Sequence, residues 1–172
     1  MRWHYTVGGA LKSIYTDGFI YPEQFVPTGV RPIVWFTSSP VWEETANKQL
    51  CDARLTIRTI TQLENHADEI RPLTRDETAA VCGGLFRFGV GHDFPLHPFN
   101  RILRLSKEQP RTGRLLLETA LAMGSNPTRD WWGTFHPVPR EHWKALEHFT
   151  PEGWQSFTDV EKIMRGELGA AP

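Results

Sequence analysis

A carboxylate within an otherwise apolar segment is the sequence feature that points most directly to chemistry. Residues 143–149 alternate as a strand would, which places Glu147 on the same face as Trp143 and Phe149. An acid on an apolar face costs free energy unless it is paired, and such acids are enriched at functional sites. Glu147 is therefore a candidate catalytic residue. The alternative is an edge strand on which Glu147 simply meets solvent.

A histidine near the N-terminus is the second candidate. His4 lies in a predicted strand over residues 2–6, on the same face as Arg2 and Thr6. A single strand histidine can equally be a hydrogen-bonded residue with no chemical role, so His4 alone does not define a site.

Other groups of chemically active residues are less specific. His92, Asp93 and His97 lie close together, and three further histidines recur every six residues, but neither set has a known zinc spacing. No nucleophile elbow, P-loop or dinucleotide-binding glycine motif is present, and Cys51 and Cys82 are expected to be free thiols. A basic segment could follow phosphates or form a solvated face; it contains Arg101, Arg104, Lys107, Arg111 and Arg114.

Turn residues and apolar spacing predict the elements that would position these side chains. A helix is expected over residues 10–16, ended by Gly18, and an apolar run at 33–36 indicates a central strand. A second helix is expected to begin at Ser38-Ser39-Pro40, with Glu43 and Glu44 in its first turn and Lys48 in its last.

The second half of the chain carries fewer signals. Strands are expected at residues 53–60 and 85–90, and a helix at 113–123 that stops at Gly124. A hairpin is expected to join strands 131–135 and 143–149 across a turn at 136–139. Short strands between helices predict an α+β fold.

Composition limits the class of protein. The chain has 172 residues, a formal net charge of −1 and 40% hydrophobic residues, which excludes wholesale disorder. We expect one domain over residues 1–165 and a loose tail at 166–172. With no apolar run long enough for a membrane span and no secretory signal, the expected location is the cytoplasm, without a membrane partner.

Three pieces of the sequence together resemble the ADP-ribosyltransferase superfamily, in its histidine-bearing branch of diphtheria-toxin-like and poly-ADP-ribose-polymerase-like enzymes. They are His4-Tyr5-Thr6 in the first strand, a helix leading to Asp17-Gly18, and Val34-Trp35-Phe36-Thr37-Ser38-Ser39, with Glu147 late in the chain. The resemblance covers the first forty residues well and the end of the chain loosely. It implies a split antiparallel sheet with flanking helices and NAD+ in the cleft between its halves.

The resemblance also implies roles for particular residues. His4 would hydrogen-bond a ribose hydroxyl, the backbone at Tyr5 would hold the nicotinamide amide, and Glu147 would stabilise the oxocarbenium ion as nicotinamide leaves. Trp35 or Phe36 is nearest to the stacking aromatic, with Tyr15 and Tyr21 as alternatives. The remaining cofactor contacts would be Thr6, Ser38, Ser39 and, for pyrophosphate or the target, Arg31 and Arg87.

The activity that follows from the resemblance is NAD-dependent glycosyl transfer. The chain would move ADP-ribose to a nucleic acid or protein acceptor, as an intracellular toxin, defence or modification enzyme, with a cognate inhibitor or antitoxin as a further partner. Tyr5 stands where many relatives have glycine, and Ala145 stands where arginine-specific members have a second acid. These departures keep three alternatives open: a catalytically inactive binding module, an NAD-dependent RNA 2′-phosphotransferase and, more distantly, a metal-dependent hydrolase using His92, Asp93 and His97.

Overall fold

A computed structural model of the chain describes residues 1–23, 26–51, 70–159, 162 and 165. Within these ranges the backbone forms eleven β-strands, numbered here in chain order. They are β1 (Arg2–Val7), β2 (Phe19–Ile20), β3 (Val34–Thr37), β4 (Gln49–Cys51), β5 (Ile70–Pro72), β6 (Leu85–Val90), β7 (His97–Pro98), β8 (Trp131–Thr134), β9 (Val138–Pro139), β10 (Trp143–Thr150) and β11 (Gly153–Ser156).

The same residues contain five α-helices and two single 3-10 turns. The α-helices are α1 (Gly8–Asp17), α2 (Arg75–Cys82), α3 (Phe99–Ser106), α4 (Pro110–Ala122) and α5 (Pro127–Asp130), and the 3-10 turns are Glu44–Ala46 and Arg140–His142. None of the helices in the described part of the chain has the length and apolar character that a membrane crossing requires.

Seven of the strands form one sheet, in the order β11-β10-β6-β1-β3-β8-β7. Every neighbouring pair in it is antiparallel. The strands β2 and β9 form a separate antiparallel pair, as do β4 and β5. Helices and an antiparallel sheet thus occur together, which confirms the predicted α+β class.

The first forty residues follow the sequence prediction closely. β1 runs directly into α1, and Gly18 ends that helix in the left-handed conformation (φ 74°), with its N–H donating to the Ile14 carbonyl. The apolar run then forms β3, an interior strand between β1 and β8. Leu11, Val34 and Phe36 are buried together in the same core cluster.

The predicted second helix is wrong. After Pro40 the chain makes one 3-10 turn and enters β4. Side chains in this segment bond to each other: Trp42 Nε1 donates to Asn47 Oδ1 at 2.7 Å. Glu43, expected to face a helix dipole, instead accepts from Trp131 Nε1 at 3.0 Å. These side-chain partners stabilise an irregular backbone in place of a helix.

The predicted hairpin between residues 131–135 and 143–149 is also wrong. Both strands exist, as β8 and β10, but β6, β1 and β3 lie between them in the sheet. Between β8 and β10 the chain forms β9, which pairs with β2 and not with either of them. β10 instead forms a hairpin with β11, with Thr150 opposite Gly153.

The central strands present two faces, which we name by one residue of each. His4 opposes Phe88, and Phe88 opposes Leu146, so these three share the histidine face. Tyr5 opposes Arg87, and Arg87 opposes Glu147, so these share the glutamate face. The two sets alternate along the strands because successive side chains point to opposite sides.

A bulge in β10 changes one predicted neighbour. Trp143 opposes Val90 and Ala145 opposes Gly89, so the extra residue between them shifts the register by one. The Trp143 ring packs on Phe88, on the histidine face, with centroids 4.6 Å apart. Simple alternation predicts that Trp143 shares a face with Glu147. Because of the bulge, it does not.

Several predicted segments fall outside the description or remain predictions. The expected strand at residues 53–60 and the expected tail at 166–172 lie outside the described residues. The expected helix at 113–123 is α4, which begins three residues earlier at Pro110. Its neighbour α3 was not predicted. The single domain over residues 1–165 stays a prediction.

Candidate functional site

His4 is held in one orientation at the edge between β1 and β3. Its Nδ1 lies 3.0 Å from the Trp35 carbonyl oxygen, and its ring lies against Phe36 with centroids 5.8 Å apart. A carbonyl oxygen only accepts, so Nδ1 carries the hydrogen and donates it. In the neutral ring, Nε2 is then an acceptor, and no described residue hydrogen-bonds it.

Burial keeps this imidazole neutral. Desolvation is the largest effect and lowers the pKa of His4 below its usual 6.5, and the positive charge of Lys48 lowers it further. The hydrogen bond to Trp35 opposes these effects without overcoming them. At neutral pH His4 therefore offers a ligand an unprotonated Nε2 rather than a cationic ring.

A cavity of about 340 Å³ opens beside His4 on the histidine face. β1 and β3 pair only at Trp3 and Thr37, and the positions that follow in an antiparallel ladder, His4 with Phe36 and Tyr5 with Trp35, are not paired. The cavity lies where the two strands separate. Its lining comprises His4, Thr6, Ala10, Ser13, Ile14, Asp17, Ile20, Tyr21, Glu23, Ile33, Val34 and Trp35.

One wall of the cavity is a face of α1 that the sequence reading missed. Ala10, Ser13, Ile14 and Asp17 line it, at the i, i+3, i+4, i+7 spacing of one helix face. This spacing is visible in the sequence. Ser13 and Asp17 are polar residues on the same helix face as the apolar Ala10 and Ile14. Polar residues on an otherwise apolar face are the signal that points to this wall of the cavity.

The polar groups of the cavity favour some ligands over others. Asp17 and Glu23 are exposed and border it with two carboxylates, while Thr6 and Ser13 contribute hydroxyl groups. Carboxylates and an unprotonated imidazole nitrogen accept hydrogen bonds from ligand hydroxyls and attract positive charge, but they repel phosphate. The cavity thus favours ligand groups that donate hydrogen bonds or carry positive charge over phosphates.

The structure does not bring Glu147 to this cavity. Glu147 lies on the glutamate face, opposite His4, and its Oε2 is 2.5 Å from Arg87 Nη2 and 2.7 Å from Arg87 Nε. The Arg87 side chain is 8% exposed and that of Glu147 is 19% exposed. The sheet therefore does not bring Glu147 and His4 together, because β10 turns the carboxylate toward Arg87. The catalytic role of each residue stays a prediction.

The Arg87 guanidinium has several partners within the protein. Besides Glu147 it donates to the Pro40 carbonyl, and its guanidinium lies 3.8 Å from the centre of the Trp3 ring and 4.3 Å from that of Trp154. A buried ion pair needs such further contacts to offset its desolvation. Arg87 does not line the cavity beside His4, and its expected contact with a pyrophosphate or the target stays a prediction.

Tyr5 also points away from the cavity. Its hydroxyl donates to the carbonyls of Ser39 and Val41, and its ring contacts Trp42 and Trp154 on the glutamate face. Burial, more than any charge, raises the pKa of Tyr5 to about 12. The side chain that replaces the glycine of many relatives therefore does not crowd the His4 side of the sheet.

The other predicted cofactor contacts divide between the two faces. Thr6 and Trp35 line the cavity, although the Trp35 ring packs on Trp131 and Phe99 away from it. Among the candidate aromatics, Tyr21 lines the cavity with its side chain half exposed, and Phe36 contacts His4. The remaining candidates do not line it, namely Tyr15, Arg31, Ser38 and Ser39.

Those remaining side chains have other partners. The Ser38 hydroxyl donates to Asp130 Oδ1 at 3.2 Å, and the Ser39 carbonyl accepts from Tyr5. The Arg31 guanidinium lies 3.8 Å from the centre of the Phe135 ring, and the Tyr15 ring lies under the guanidinium of Arg140. Within the described ranges, histidines, cysteines and acids form no group of three or more that could hold a metal ion.

Comparison with known proteins adds no relative to this description. No protein-family model, no curated protein and no solved structure matches the chain. The candidate site therefore stands on the geometry of His4 and the cavity beside it.

Proposed function

We propose that the chain is an NAD+-dependent ADP-ribosyltransferase whose cofactor places its nicotinamide-ribose end in the cavity beside His4. The observation that carries the proposal is a half-buried histidine with a lowered pKa and a fixed tautomer, with Nε2 unbonded by described residues, at the point where β1 and β3 separate. This is the position that the resemblance assigns to a histidine that binds a ribose hydroxyl.

The separation of the strands supports the finer fold assignment as well. An ADP-ribosyltransferase-like sheet is split where the cofactor lies, and here the β1–β3 ladder stops after Trp3 and Thr37. The order β1, α1, β3 and the cavity between them agree with that arrangement. The split antiparallel sheet is part of our proposal.

In this account the chain's residues act mainly through electrostatics. Nε2 of His4 would accept a hydrogen bond from a ribose hydroxyl and fix the sugar. The bond between the ribose and nicotinamide would break with its electron pair leaving on nicotinamide. The acceptor nucleophile would bond to the sugar carbon and release its proton to solvent. Asp17 and Glu23 are the carboxylates that border this cavity, so they, and not Glu147, would face the developing positive charge.

A specific observation favours a second candidate, the catalytically inactive binding module. Glu147, the carboxylate that completes the family pattern in the sequence, is paired with Arg87 on the opposite face. A chain that keeps the histidine cavity but lacks a carboxylate positioned for the reaction would still bind NAD+. It would release no nicotinamide.

Labelled NAD+ distinguishes these candidates. NAD+ carrying a label on its adenylate phosphate is incubated with cell lysate and the wild-type protein, His4→Ala, or the matched control His136→Ala, whose side chain is exposed. Proteinase and nuclease digestion then assign the acceptor. We expect retained label with the wild type and the control, and its loss with His4→Ala.

Glu147→Gln is the informative fourth variant. Compared at a temperature where its near-ultraviolet circular dichroism shows it folded, it should retain labelling, because the carboxylate lies away from the cavity. Loss of labelling in this folded variant would contradict our placement of the site. If the wild type neither transfers label nor releases nicotinamide, the transferase proposal fails and the binding module takes its place.

A further inference from the structure

A second feature, outside the cavity, is a group of cations on α3, α4, the turn between them and the segment just before β3. We call it the basic surface; it comprises Arg31, Arg101, Arg104, Lys107, Arg111 and Arg114. All six residues are exposed. None of their side chains forms an ion pair within the described part of the chain. The positive charge of this surface is thus available to a partner.

The charge is local and does not reflect the composition of the whole chain. Residues 99–122 hold five basic and two acidic residues, Glu108 and Glu118, while the formal net charge of the protein is −1. A concentrated positive area on a nearly neutral protein creates a local field that attracts polyanions. Five of the six cations are arginines, whose guanidinium fork matches phosphate oxygens.

The apolar sides of the two helices are already occupied. Phe99 and Ala120 are buried with Trp131 in one core cluster, and Leu103, Leu116 and Leu117 pack against it. A membrane-surface helix would need such an apolar side for the lipid. These helices use that side against the sheet, and their outward side carries the cations together with three exposed leucines, Leu105, Leu115 and Leu121. The five basic residues of the two helices favour a water-soluble polyanion, and competition by anionic vesicles tests the alternative of a lipid surface.

Lys107 occupies a backbone conformation that favours glycine. It ends α3 at φ 64°, and no other non-glycine residue in the described ranges has a positive φ. A lysine in the left-handed region costs about 1 kcal/mol or more relative to glycine. A residue that costs stability at an exposed turn, between two basic helices, is consistent with a role for its ammonium group.

Arg31 connects the basic surface to the cavity. Its backbone N–H donates to the Ser106 carbonyl at 2.8 Å, which ties it to the end of α3 beside Lys107. Its guanidinium stays in place over Phe135. Ile33, two residues along the chain, lines the cavity. Arg31 of the basic surface and Ile33 of the cavity lining are therefore two residues apart, directly before β3.

We propose that the basic surface binds the phosphate backbone of a nucleic acid without reading its sequence. Resting on the proposed function, this surface would hold the nucleic acid that accepts ADP-ribose, because Arg31 is two residues from Ile33 of the cavity lining. The binding itself requires no NAD+ and is tested separately from transfer.

Fluorescence anisotropy with labelled single-stranded RNA and DNA of mixed sequence tests the proposal. Arg104→Gln/Arg111→Gln removes two charges from the basic surface, and Lys12→Gln/Lys144→Gln removes two exposed charges elsewhere. We expect the first pair to weaken binding about tenfold at roughly 50 mM salt and to reduce the slope of log affinity against log salt by about 1.4. The second pair should bind like the wild type.

Three results would overturn the proposal. They are the absence of wild-type binding at low salt, equal weakening by both pairs of substitutions, and equally effective competition by polyglutamate or by vesicles of anionic lipid. His4→Ala should still bind the oligonucleotides. If His4→Ala binds the oligonucleotides and the wild type does not use NAD+, the proposed function is wrong, while nucleic-acid binding by the basic surface is supported.

Discussion

His4 combines burial, a fixed tautomer and contact with a cavity, and each property has a separate cause. The Trp35 carbonyl sets the tautomer, the surrounding core lowers the pKa, and the separation of β1 from β3 leaves space beside the ring. None of these causes lies within the sequence around residue 4. The strand could be predicted from that sequence, but the partners of the side chain come from thirty residues away.

The neutral state of His4 makes a prediction about pH. Since its pKa in the folded protein lies below 6.5, protonation favours the unfolded chain. The contribution of His4 to the free energy of unfolding is fully present above pH 6.5 and falls as the pH drops below it, until the folded form protonates too. The slope is at most about 1.4 kcal/mol per pH unit.

Urea denaturation between about pH 5 and pH 8 measures this effect. His4→Gln should show a smaller loss of stability toward acid than the wild type, whatever its stability at neutral pH. His136→Gln, at an exposed histidine, should retain the wild-type dependence. Equal slopes for His4→Gln and the wild type would show that His4 is not buried in the neutral form.

Glu147 shows the limit of reasoning at the scale of one residue. The sequence correctly predicts a strand and correctly indicates that a carboxylate among apolar neighbours must be paired. It does not identify the partner, because Arg87 lies in β6, sixty residues earlier, and meets Glu147 only through strand pairing. A functional carboxylate and a structural ion pair therefore have the same local sequence signature.

At the scale of elements, Lys107 in the turn between α3 and α4 gives a test that combines stability and binding. Lys107→Gly removes a side chain from a left-handed position, so it should raise the free energy of unfolding by about 0.5–1 kcal/mol. The same change removes one cation, so binding of single-stranded oligonucleotides should weaken.

The matched control is Lys12→Gly in α1, at an exposed position with ordinary helical geometry. It should lower stability by about 1 kcal/mol and leave oligonucleotide binding unchanged. Chemical denaturation and anisotropy on the same preparations measure both quantities. Destabilisation by Lys107→Gly would contradict our account of the turn.

Elements whose signals are local could be predicted from the sequence, and those fixed by distant pairing could not. α1 and its end at Gly18 follow from apolar spacing and a glycine. In contrast, β8 and β10 are close in sequence, which predicts a hairpin. They are not neighbours in the sheet, because β9 lies between them in the chain and pairs with β2. The bulge next to Trp143 is likewise set by β6 and has no local signal.

At the scale of the whole molecule, the sheet separates two kinds of surface. The histidine face carries a cavity bordered by carboxylates, while the helices of the basic surface pack on the other side of β3. The α+β class could be predicted from the sequence. The division between the faces depends on the register of β1, β6 and β10, which emerges only from the complete sheet.

NAD+-dependent stabilisation tests the central claim, that the cofactor binds beside His4, most directly. Denaturant unfolding is measured for the wild type, His4→Ala, Glu147→Gln and Arg104→Gln/Arg111→Gln. For each protein, the free energy of unfolding with NAD+ is compared with that of the same protein without NAD+. At a hundredfold excess over the dissociation constant, NAD+ should stabilise the wild type by about 2.7 kcal/mol. Stabilisation should persist in Glu147→Gln and in the arginine pair and disappear in His4→Ala. The account would be contradicted if NAD+ did not stabilise the wild type. It would also be contradicted if NAD+ stabilised His4→Ala but not Glu147→Gln.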